Sequence, residues 1–427
     1  MKIVHHFFIL ILFANSTWSF EYCPADDDYD IVNNDDPVCD THDCVVAAGS
    51  LLSVMNLDAN PCDDFYEYAC GNFKSLNSIP TGEGKFDPMH SIARKIELKL
   101  LKLLEQDNER GTSSSAESKA KAYFHSCMDM EKISNSSIQL LRRMVEKLGG
   151  LYVEDSQRML SNGWSLNKLL KSFTKMTANS GPFVTQVDPD DQNTLQNVIK
   201  MGQSGLGLGE DTRDFYIGNS HEHQILLSAY ADLLVSYVDI IYGPEHCHRQ
   251  MIVDVVEFEK RVAQLHLPLH ERERIKEVYF KTNVTWLQEN ANFINWLQYF
   301  NDLFANVDIT IDWNEPVLLF GHEYFIKLAD LINDYLWDED GRRTLQNYFV
   351  LRAIDMYVPY LGGQFEQARA KFMNVMVGKQ GCVERYKLCI ADTNDNVGFG
   401  LASMFIRKHF SMDLKYRVGL ILFKFSF

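Results

Sequence analysis

The placement of the cysteines constrains this chain more than any other feature of its sequence. The chain has nine cysteines, and five of them fall between Cys23 and Cys70. In an oxidising compartment most of these side chains are expected to be paired, whereas a reducing compartment keeps thiols free. Because nine is an odd number, at least one cysteine has no partner within the chain. The pattern predicts a disulfide-stapled extracellular protein whose crosslinks are densest near one end.

The first residues have the pattern of a secretory signal peptide. Lys2 precedes a short apolar run that starts at Phe7, and small polar residues follow it. A membrane anchor needs about 20 apolar residues, and Asn15 and Glu21 make this run too short. We therefore predict a signal peptide over residues 1–19, a secreted protein and no stable membrane span. Two glycosylation sequons fit the same compartment: Asn135-Ser-Ser and Asn283-Val-Thr.

Composition divides the rest of the chain into three stretches. Residues 20–43 are acidic and poor in apolar side chains, which predicts a flexible lead-in. Residues 44–412 keep a helical periodicity without a clear linker, which predicts one domain. Residues 413–427 form a divergent apolar tail that is too short to span a membrane. The net charge of -17 argues against a nucleic-acid partner, because phosphates require a Lys/Arg surface.

The apolar spacing within residues 44–412 is mostly that of amphipathic helices. Long periodic stretches predict helices that include 221–242, 271–278 and 286–304. Only Gly181–Asp188 alternates like a strand. The predicted fold class is therefore mainly α, a multi-helix lobe with a few short strands that is stapled by disulfides.

Zinc chemistry is the obvious test for a secreted chain of this kind. A His-Glu-x-x-His helix places two imidazoles one turn apart and positions the Glu as general base. Three His-Glu pairs occur here, at His221, His270 and His322, and none has a second His at the required position. In His246-Cys247-His248 the two imidazoles would point to different faces of a helix. The sequence predicts no metal site, no cofactor and no catalytic residue in this chain.

Several motifs along the chain follow a known pattern. They are Pro61-Cys62-Asp63-Asp64-Phe65-Tyr66-x-Tyr68-Ala69-Cys70-Gly71, Phe86-Asp87, Tyr123-Phe124-x-x-Cys127-Met128, Gln203-Ser204-Gly205-Leu206-Gly207-Leu208, Arg213-Asp214-Phe215-Tyr216 and Phe405-Ile406-Arg407-Lys408-His409-Phe410. Together they resemble the neprilysin and endothelin-converting-enzyme family of zinc metalloendopeptidases. The resemblance covers about residues 39–412 and concerns the N-terminal domain of that family.

The resemblance implies a function for the complete enzyme. Members of the family cut short extracellular peptides, and two mainly α lobes enclose their central chamber. Their zinc ligands lie in a C-terminal portion that this chain stops before. We expect the chain alone to be inactive, because without ligands no zinc-bound water can be activated. The implied partners are a peptide substrate or ligand and the missing catalytic portion.

The resemblance also implies a set of disulfides. Cys39 is expected to pair with Cys44, and Cys127 with Cys389. Cys62 and Cys70 are expected to pair with cysteines of the missing portion. The remaining three cysteines match nothing in the family, and they are Cys23, Cys247 and Cys382.

Three residues are placed in the substrate cleft by the same resemblance. Phe86 matches a residue of the main specificity pocket, Asp87 an adjacent polar contact and His90 a nearby basic position. The family's Arg that holds a peptide's terminal carboxylate aligns with Gly82, and losing an Arg removes bidentate binding of that group. Structural roles are open as well, since Phe86 can pack in a core and Asp87 can cap a helix that begins at Pro88.

Three functions remain open at this point. The first is the N-terminal, substrate-chamber portion of a secreted zinc endopeptidase whose catalytic portion is absent from this chain. The alternative is a genuine truncated secreted protein that binds peptides or a protein partner without cutting them. A third is a separately folded scaffold with an unforeseen activity. The unmatched Cys62 and Cys70 favour the first.

Overall fold

The computed structural model describes residues 41–106, 115–152, 163–244, 248–379, 381–412 and 414–416. The predicted signal peptide, most of the acidic lead-in, Cys23, Cys39, Cys247 and nearly all of the apolar tail lie outside the described residues. The span that was predicted as one domain divides into two compact units. The first unit contains the described residues up to Asp129 and from Lys379 onward, and the second unit is Met130–Gly378.

The first unit is built from helices. In chain order they are α1 (His42–Val54), α2 (Phe65–Cys70), α3 (Phe73–Leu76), α4 (Pro88–Glu105), α5 (Ser115–Met128) and, after the whole second unit, α18 (Arg385–His409). The last helix packs against α4 and α5. Their shared core contains nine buried residues, including Phe124 and Leu104. Local capping explains where α2 begins, because the side chain of Asp64 accepts a hydrogen bond from the Glu67 N–H.

The second unit is larger and combines helices with one sheet. Its elements are α6 (Met130–Lys147), α7 (Leu166–Thr177), β1 (Phe183–Asp190), β2 (Asn193–Gln203), α8 (Arg213–Ile217), α9 (His221–Tyr242), α10 (Arg249–Leu265), α11 (Leu269–Arg272), α12 (Ile275–Val278), β3 (Tyr279–Asn283), α13 (Val284–Asn290), α14 (Trp296–Phe304), β4 (Pro316–Phe320), α15 (His322–Trp337), α16 (Glu339–Tyr357), a short 3-10 helix (Val358–Tyr360) and α17 (Gln364–Val377). The core is a continuous set of buried side chains, among which Trp296, Tyr237 and Phe258 are fully buried. The mainly α prediction with a few short strands is confirmed.

The four strands form one mixed sheet in the order β1-β2-β4-β3. The strands β1 and β2 form an antiparallel hairpin in which Phe183 pairs with Gln203. The central pair, β2 and β4, is parallel, with Ile199 opposite Val317. The strand-like stretch Gly181–Asp188 corresponds to β1, whereas the other three strands were not predicted. The pairs β2–β4 and β3–β4 join segments that are distant in sequence, so no local pattern indicates them.

Two helix predictions need correction. The predicted helix 271–278 spans parts of two separate one-turn helices, α11 and α12, after which the chain enters β3. The predicted helix 286–304 is broken into α13 and α14, and Asn295 caps the second by accepting a hydrogen bond from the Gln298 N–H. In the second case a continuous apolar period does not reveal where a capping side chain starts a new helix.

One described helix, α9, is long and apolar enough to cross a membrane by length and composition. It is also a core element of the second unit. Its buried residues include Leu234, Tyr237 and Val238, and it packs against α10 and α17. Burial within a protein core accounts for its apolar composition.

Candidate functional site

The three predicted substrate-binding residues lie together at the start of α4. The Asp87 Oδ1 accepts a hydrogen bond from the His90 backbone N–H at 2.9 Å, and the His90 Nδ1 lies 2.7 Å from the same oxygen. Pro88 occupies the first turn of the helix, where its missing N–H costs nothing. The pKa of Asp87 is lowered, chiefly because its carboxylate accepts the backbone hydrogen bond from His90. The structural interpretation of Asp87 as a helix cap therefore holds.

Phe86 also has a packing role. Its ring stacks on Phe73, with 6.0 Å between the ring centroids and an interplanar angle of 24°. The cluster nevertheless remains accessible, because the side chains of Asp87 and His90 are 47% and 34% exposed. A role of these three residues in binding substrate stays a prediction.

The loop that precedes this cluster explains why Gly82 stands where the family's Arg was expected. Gly82 is buried and has a φ of +82°, and a Cβ at this position would lie 2.9 Å from the carbonyl oxygen of Cys382. The neighbouring Glu83 is held by Lys387, whose Nζ lies 2.8 Å from its Oε1. The backbone conformation and the close contact both favour glycine, so the departure from the family pattern belongs to the local fold.

We expect that Gly82→Arg will not restore binding of a terminal carboxylate. The positive φ and the contact with Cys382 should instead destabilise the first unit by about 1–3 kcal/mol. Urea unfolding of the variant measures this loss. Gly84→Arg, at an exposed position two residues away, is the control and should unfold like the original chain. An unchanged unfolding midpoint for Gly82→Arg would contradict the argument.

A second group of motif residues converges on a buried carboxylate in the second unit. Glu259 is 1% exposed. Its Oε1 accepts a hydrogen bond from the Gly207 N–H at 2.7 Å, and its Oε2 accepts one from the Tyr216 hydroxyl at 2.9 Å. The Tyr216 hydroxyl in turn accepts a hydrogen bond from the Leu208 N–H at 3.0 Å. The glycine-rich segment and the Arg-Asp-Phe-Tyr segment are thus joined through Glu259.

The countercharge of Glu259 is Arg352, on α16. Its Nη1 lies 4.0 Å from the Glu259 Oε1, and its Nη2 donates a hydrogen bond to the Gly205 carbonyl at 3.3 Å. Burial raises the pKa of Glu259, and the Arg352 charge opposes that rise. Gly207 is also closely packed, since a Cβ at this position would lie 1.8 Å from the Tyr230 hydroxyl oxygen. These contacts make the glycine-rich segment a packed structural loop.

A cavity of about 330 Å³ borders the same loop. Its lining includes His266, which is 6% exposed and whose Nε2 has no hydrogen-bond partner. Burial, assisted by the charge of Arg213, lowers the pKa of His266 to about 4. The imidazole is therefore neutral at pH 7. Sequence reasoning gave no role to His266, because a lone His carries no recognisable spacing.

The lowered pKa of His266 predicts a dependence of stability on pH. The unfolded chain takes up the proton near pH 6.5 and the folded chain only near pH 4, so stability falls as the pH drops from about 6.5 to 4. Because His266→Phe has no imidazole to protonate, its free energy of unfolding should fall less between pH 7 and pH 4.5 than that of the original chain, by up to about 3 kcal/mol. Urea unfolding at pH 7 and pH 4.5 measures the difference. An equal pH dependence in the variant, or an equal change in the exposed control His221→Phe, would refute this assignment.

The family-like segment near the end of the chain joins two helices of the first unit. Glu117 on α5 is 2% exposed, and Arg407 on α18 donates to both of its carboxylate oxygens at 2.8 and 3.0 Å. The hydrogen bond from Arg407 is the largest cause of the lowered pKa of Glu117. Such bidentate pairs combine charge with fixed geometry, so this motif contact is structural.

The cysteines agree with the resemblance in part. The predicted disulfide between Cys127 and Cys389 is confirmed, with 5.6 Å between the Cα atoms, and it links α5 with α18. Cys44 is disulfide-bonded, but its predicted partner Cys39 lies outside the described residues. Cys62 is also disulfide-bonded, which differs from the expected pairing with a cysteine outside this chain. Cys70 is a half-buried free thiol.

The described residues do not fit a zinc site. Within the described ranges, no three His, Cys, Asp or Glu side chains gather as a metal-binding group would require. His270 is a surface residue with a 72% exposed side chain. His322 is occupied in packing, since its ring stacks on Phe280 with centroids 4.4 Å apart. We therefore derive no catalytic step through a metal from these residues.

Comparisons with known proteins agree with this fold. A family model for peptidase family M13 matches residues 61–422. A zinc metalloprotease of Mycobacterium tuberculosis, solved with an inhibitor, superposes with a TM-score of 0.71 at 18% identity, covering 86% of this chain and 53% of that one. The fold class is thus that of the N-terminal part of a zinc metalloprotease. The chain belongs to peptidase family M13.

Two similar relatives come from animals. Endothelin-converting enzyme 1 of Cavia porcellus is 32% identical over 384 residues, which are 89% of this chain and 48% of the relative. An endothelin-converting enzyme homolog of Locusta migratoria is 30% identical over 407 residues, which are 95% of this chain and 54% of the relative. The chain therefore spans about half the length of the relatives that it matches.

Proposed function

We propose that this chain is the N-terminal, substrate-chamber portion of a secreted neprilysin-like zinc metalloendopeptidase that hydrolyses short peptides. In this proposal the zinc ligands belong to a catalytic portion that the chain itself lacks. Phe86, Asp87 and His90 would contact the peptide substrate. The chain alone would neither bind zinc nor hydrolyse peptides.

The apolar surface of the first unit carries this proposal. Among the described residues of this unit, exposed large apolar side chains outnumber the nine buried residues of its core. They are Val45, Val46, Leu51, Leu52, Leu57, Phe65, Tyr66, Leu76, Ile79, Met89, Ile92, Leu98, Val383, Phe399, Ile406, Met412, Leu414 and Tyr416. Soluble proteins seldom leave so much apolar surface without a partner. A catalytic portion packed on this unit would cover it, and the free thiol of Cys70 would offer that portion a disulfide.

The decisive experiment compares the native secreted protein with the recombinant chain. We expect the native protein to be markedly heavier than 49.2 kDa and to hydrolyse short peptides in a chelator-sensitive manner. The recombinant chain should show neither hydrolysis nor stoichiometric zinc. Zinc-dependent hydrolysis by the recombinant chain alone would overturn the division of roles.

The alternative is a genuine short secreted protein that binds peptides or a partner without cutting them. The disulfide at Cys62 favours it, because that cysteine then needs no partner from another portion. A native species with the mass of the processed chain, and with Cys62 crosslinked internally in a disulfide map, would establish this alternative and refute the first proposal.

Secretion and glycosylation belong to the same proposal. Asn135 is exposed on α6. Asn283 is half-buried and caps α13, since its Oδ1 accepts a hydrogen bond from the Trp286 N–H at 2.9 Å. Peptide mapping of the native protein should find an N-terminus after the predicted signal peptide and a glycan at Asn135. An unprocessed N-terminus would contradict secretion.

A further inference from the structure

The loop that joins α14 to β4 exposes three large apolar side chains, and we call it the apolar loop. Val307 and Ile309 are 53% and 54% exposed, and Trp313 is 43% exposed. The loop is nevertheless held in place, because the Asn301 side chain accepts a hydrogen bond from the Ile311 N–H at 3.0 Å and donates one to the Ile311 carbonyl at 2.9 Å. Three large apolar side chains on one fixed loop favour a surface that is covered in the complete molecule.

The second glycosylation sequon is hydrogen-bonded directly to this loop. Thr285, its third residue, donates twice to the Trp313 carbonyl oxygen, from its backbone N–H at 3.0 Å and from its Oγ1 at 2.9 Å. Asn283, the residue that would carry the glycan, lies opposite Pro316 in the pairing of β3 with β4. The sequon therefore runs alongside residues 313–316, and a group attached to Asn283 starts beside the apolar loop.

The Asn283 side chain is arranged so that its nitrogen can carry a glycan. Its Oδ1 accepts a hydrogen bond from the Trp286 N–H at 2.9 Å, which fixes the amide group. Its Nδ2, the atom to which an N-linked glycan is attached, makes no hydrogen bond to a described residue and is not buried. Glycosylation therefore removes no contact that the described fold uses, and the helix cap fixes the point at which the first sugar leaves the chain.

We propose that an N-linked glycan on Asn283 lies over the apolar loop and shields Trp313 from solvent. N-acetylglucosamine, the first sugar of such a glycan, has an apolar C–H face that packs on an aromatic ring. The covalent link keeps the sugar at a high effective concentration beside the loop, so weak contacts are sufficient. The inference rests on the proposed secretion, which exposes the sequon to glycosylation, and goes beyond it by giving the glycan a structural role.

The charges of the apolar loop argue against a membrane as the cover. Asp308 and Asp312 are exposed among its apolar side chains, and an anionic lipid surface repels carboxylates. A neutral sugar meets no such repulsion, and its hydroxyl groups donate hydrogen bonds that carboxylates accept. The loop therefore combines an aromatic ring with polar acceptors, which suits a carbohydrate.

The test measures the oxidation of individual tryptophan side chains by hydroxyl radicals, read by peptide mass spectrometry, in the full chain secreted from a glycosylating host. Asn283→Asp prevents glycosylation and keeps the helix cap, because Asp and Asn cap equally well. We expect oxidation of Trp313 to rise at least about twofold in this variant, since the residue is 43% exposed without a cover. Trp296, which is fully buried, and Trp337, which is 88% exposed, should react as in the original chain.

Two matched variants separate the glycan on Asn283 from other changes. Asn135→Asp removes the other predicted glycan, and Thr285→Ser keeps both the sequon and a hydroxyl beside the Trp313 carbonyl. Trp313 should stay as protected in Asn135→Asp and in glycosylated Thr285→Ser as it is in the original chain.

Equal oxidation of Trp313 with and without the glycan would overturn the proposal, and low oxidation in both cases would identify a protein partner as the cover. A processed chain with a glycan on Asn135 and none on Asn283 would overturn this inference alone. An unprocessed chain with neither glycan would overturn the proposed secretion as well.

Discussion

Replacing Glu259 by alanine is expected to destabilise the second unit by about 3–5 kcal/mol. The substitution removes the carboxylate that acts most strongly on the buried Arg352 charge, which then keeps only the weaker attraction of Asp355. It also removes the acceptor of the Gly207 N–H and of the Tyr216 hydroxyl, and Tyr216 is fully buried. Urea unfolding, followed by circular dichroism at pH 7, measures the loss.

Two further variants separate the charge from general damage to the helix. Glu257→Ala changes an exposed carboxylate on the same helix and should leave the unfolding midpoint nearly unchanged. The double variant Glu259→Met with Arg352→Met removes both charges and should recover most of the lost stability, because an apolar pair avoids the burial of an unpaired ion. A loss below about 1 kcal/mol for Glu259→Ala would mean that the pair behaves like a surface salt bridge.

Removing the disulfide between Cys127 and Cys389 should destabilise the first unit by about 2–5 kcal/mol. The crosslink joins residues that are 262 positions apart, and it therefore restricts a very long loop in the unfolded chain. The part of this unit that the structure describes has a core of nine buried apolar residues, so the crosslink is a large share of what holds these helices together. We expect faster hydrogen exchange in α5 and α18 when both cysteines are replaced by serine.

Cys70→Ser is the matched control for this disulfide, since Cys70 is a free thiol in the same unit. Its exchange rates in α5 and α18 should equal those of the original chain. Protection in α5 and α18 that survives the loss of both cysteines would show that Glu117 and Arg407 hold these helices without the crosslink.

Short-range features of this protein were predictable from its sequence. The helix 221–242 was predicted with the bounds that α9 has, because its residues repeat with a clear helical period. The substrate role of Phe86, Asp87 and His90 rested on the resemblance alone, whereas the residues themselves left open a helix cap at Asp87. The structure shows that Asp87 does cap α4.

Contacts between distant segments were not predictable in the same way. The parallel pairing of β2 with β4 brings together stretches that are far apart in the chain, and short buried strands resemble helical segments in sequence. Glu259 could have been noticed as a charge on the apolar face of α10, between Val255 and Val262. Its partner Arg352 could not have been identified, because nothing local to α16 indicates which buried charge it meets.

The sequence by itself indicated the family and the mainly α fold class, because motifs and periodicity are written in short stretches of chain. The disulfide between Cys127 and Cys389 was implied only by the resemblance to the family, and the structure confirms it. The tertiary structure decided what those motifs do. It joined the glycine-rich segment to Glu259, placed His266 beside a cavity and left Gly82 without room for a side chain. The reason is physical, since burial, charge pairing and cavities arise only when segments distant in sequence are packed together.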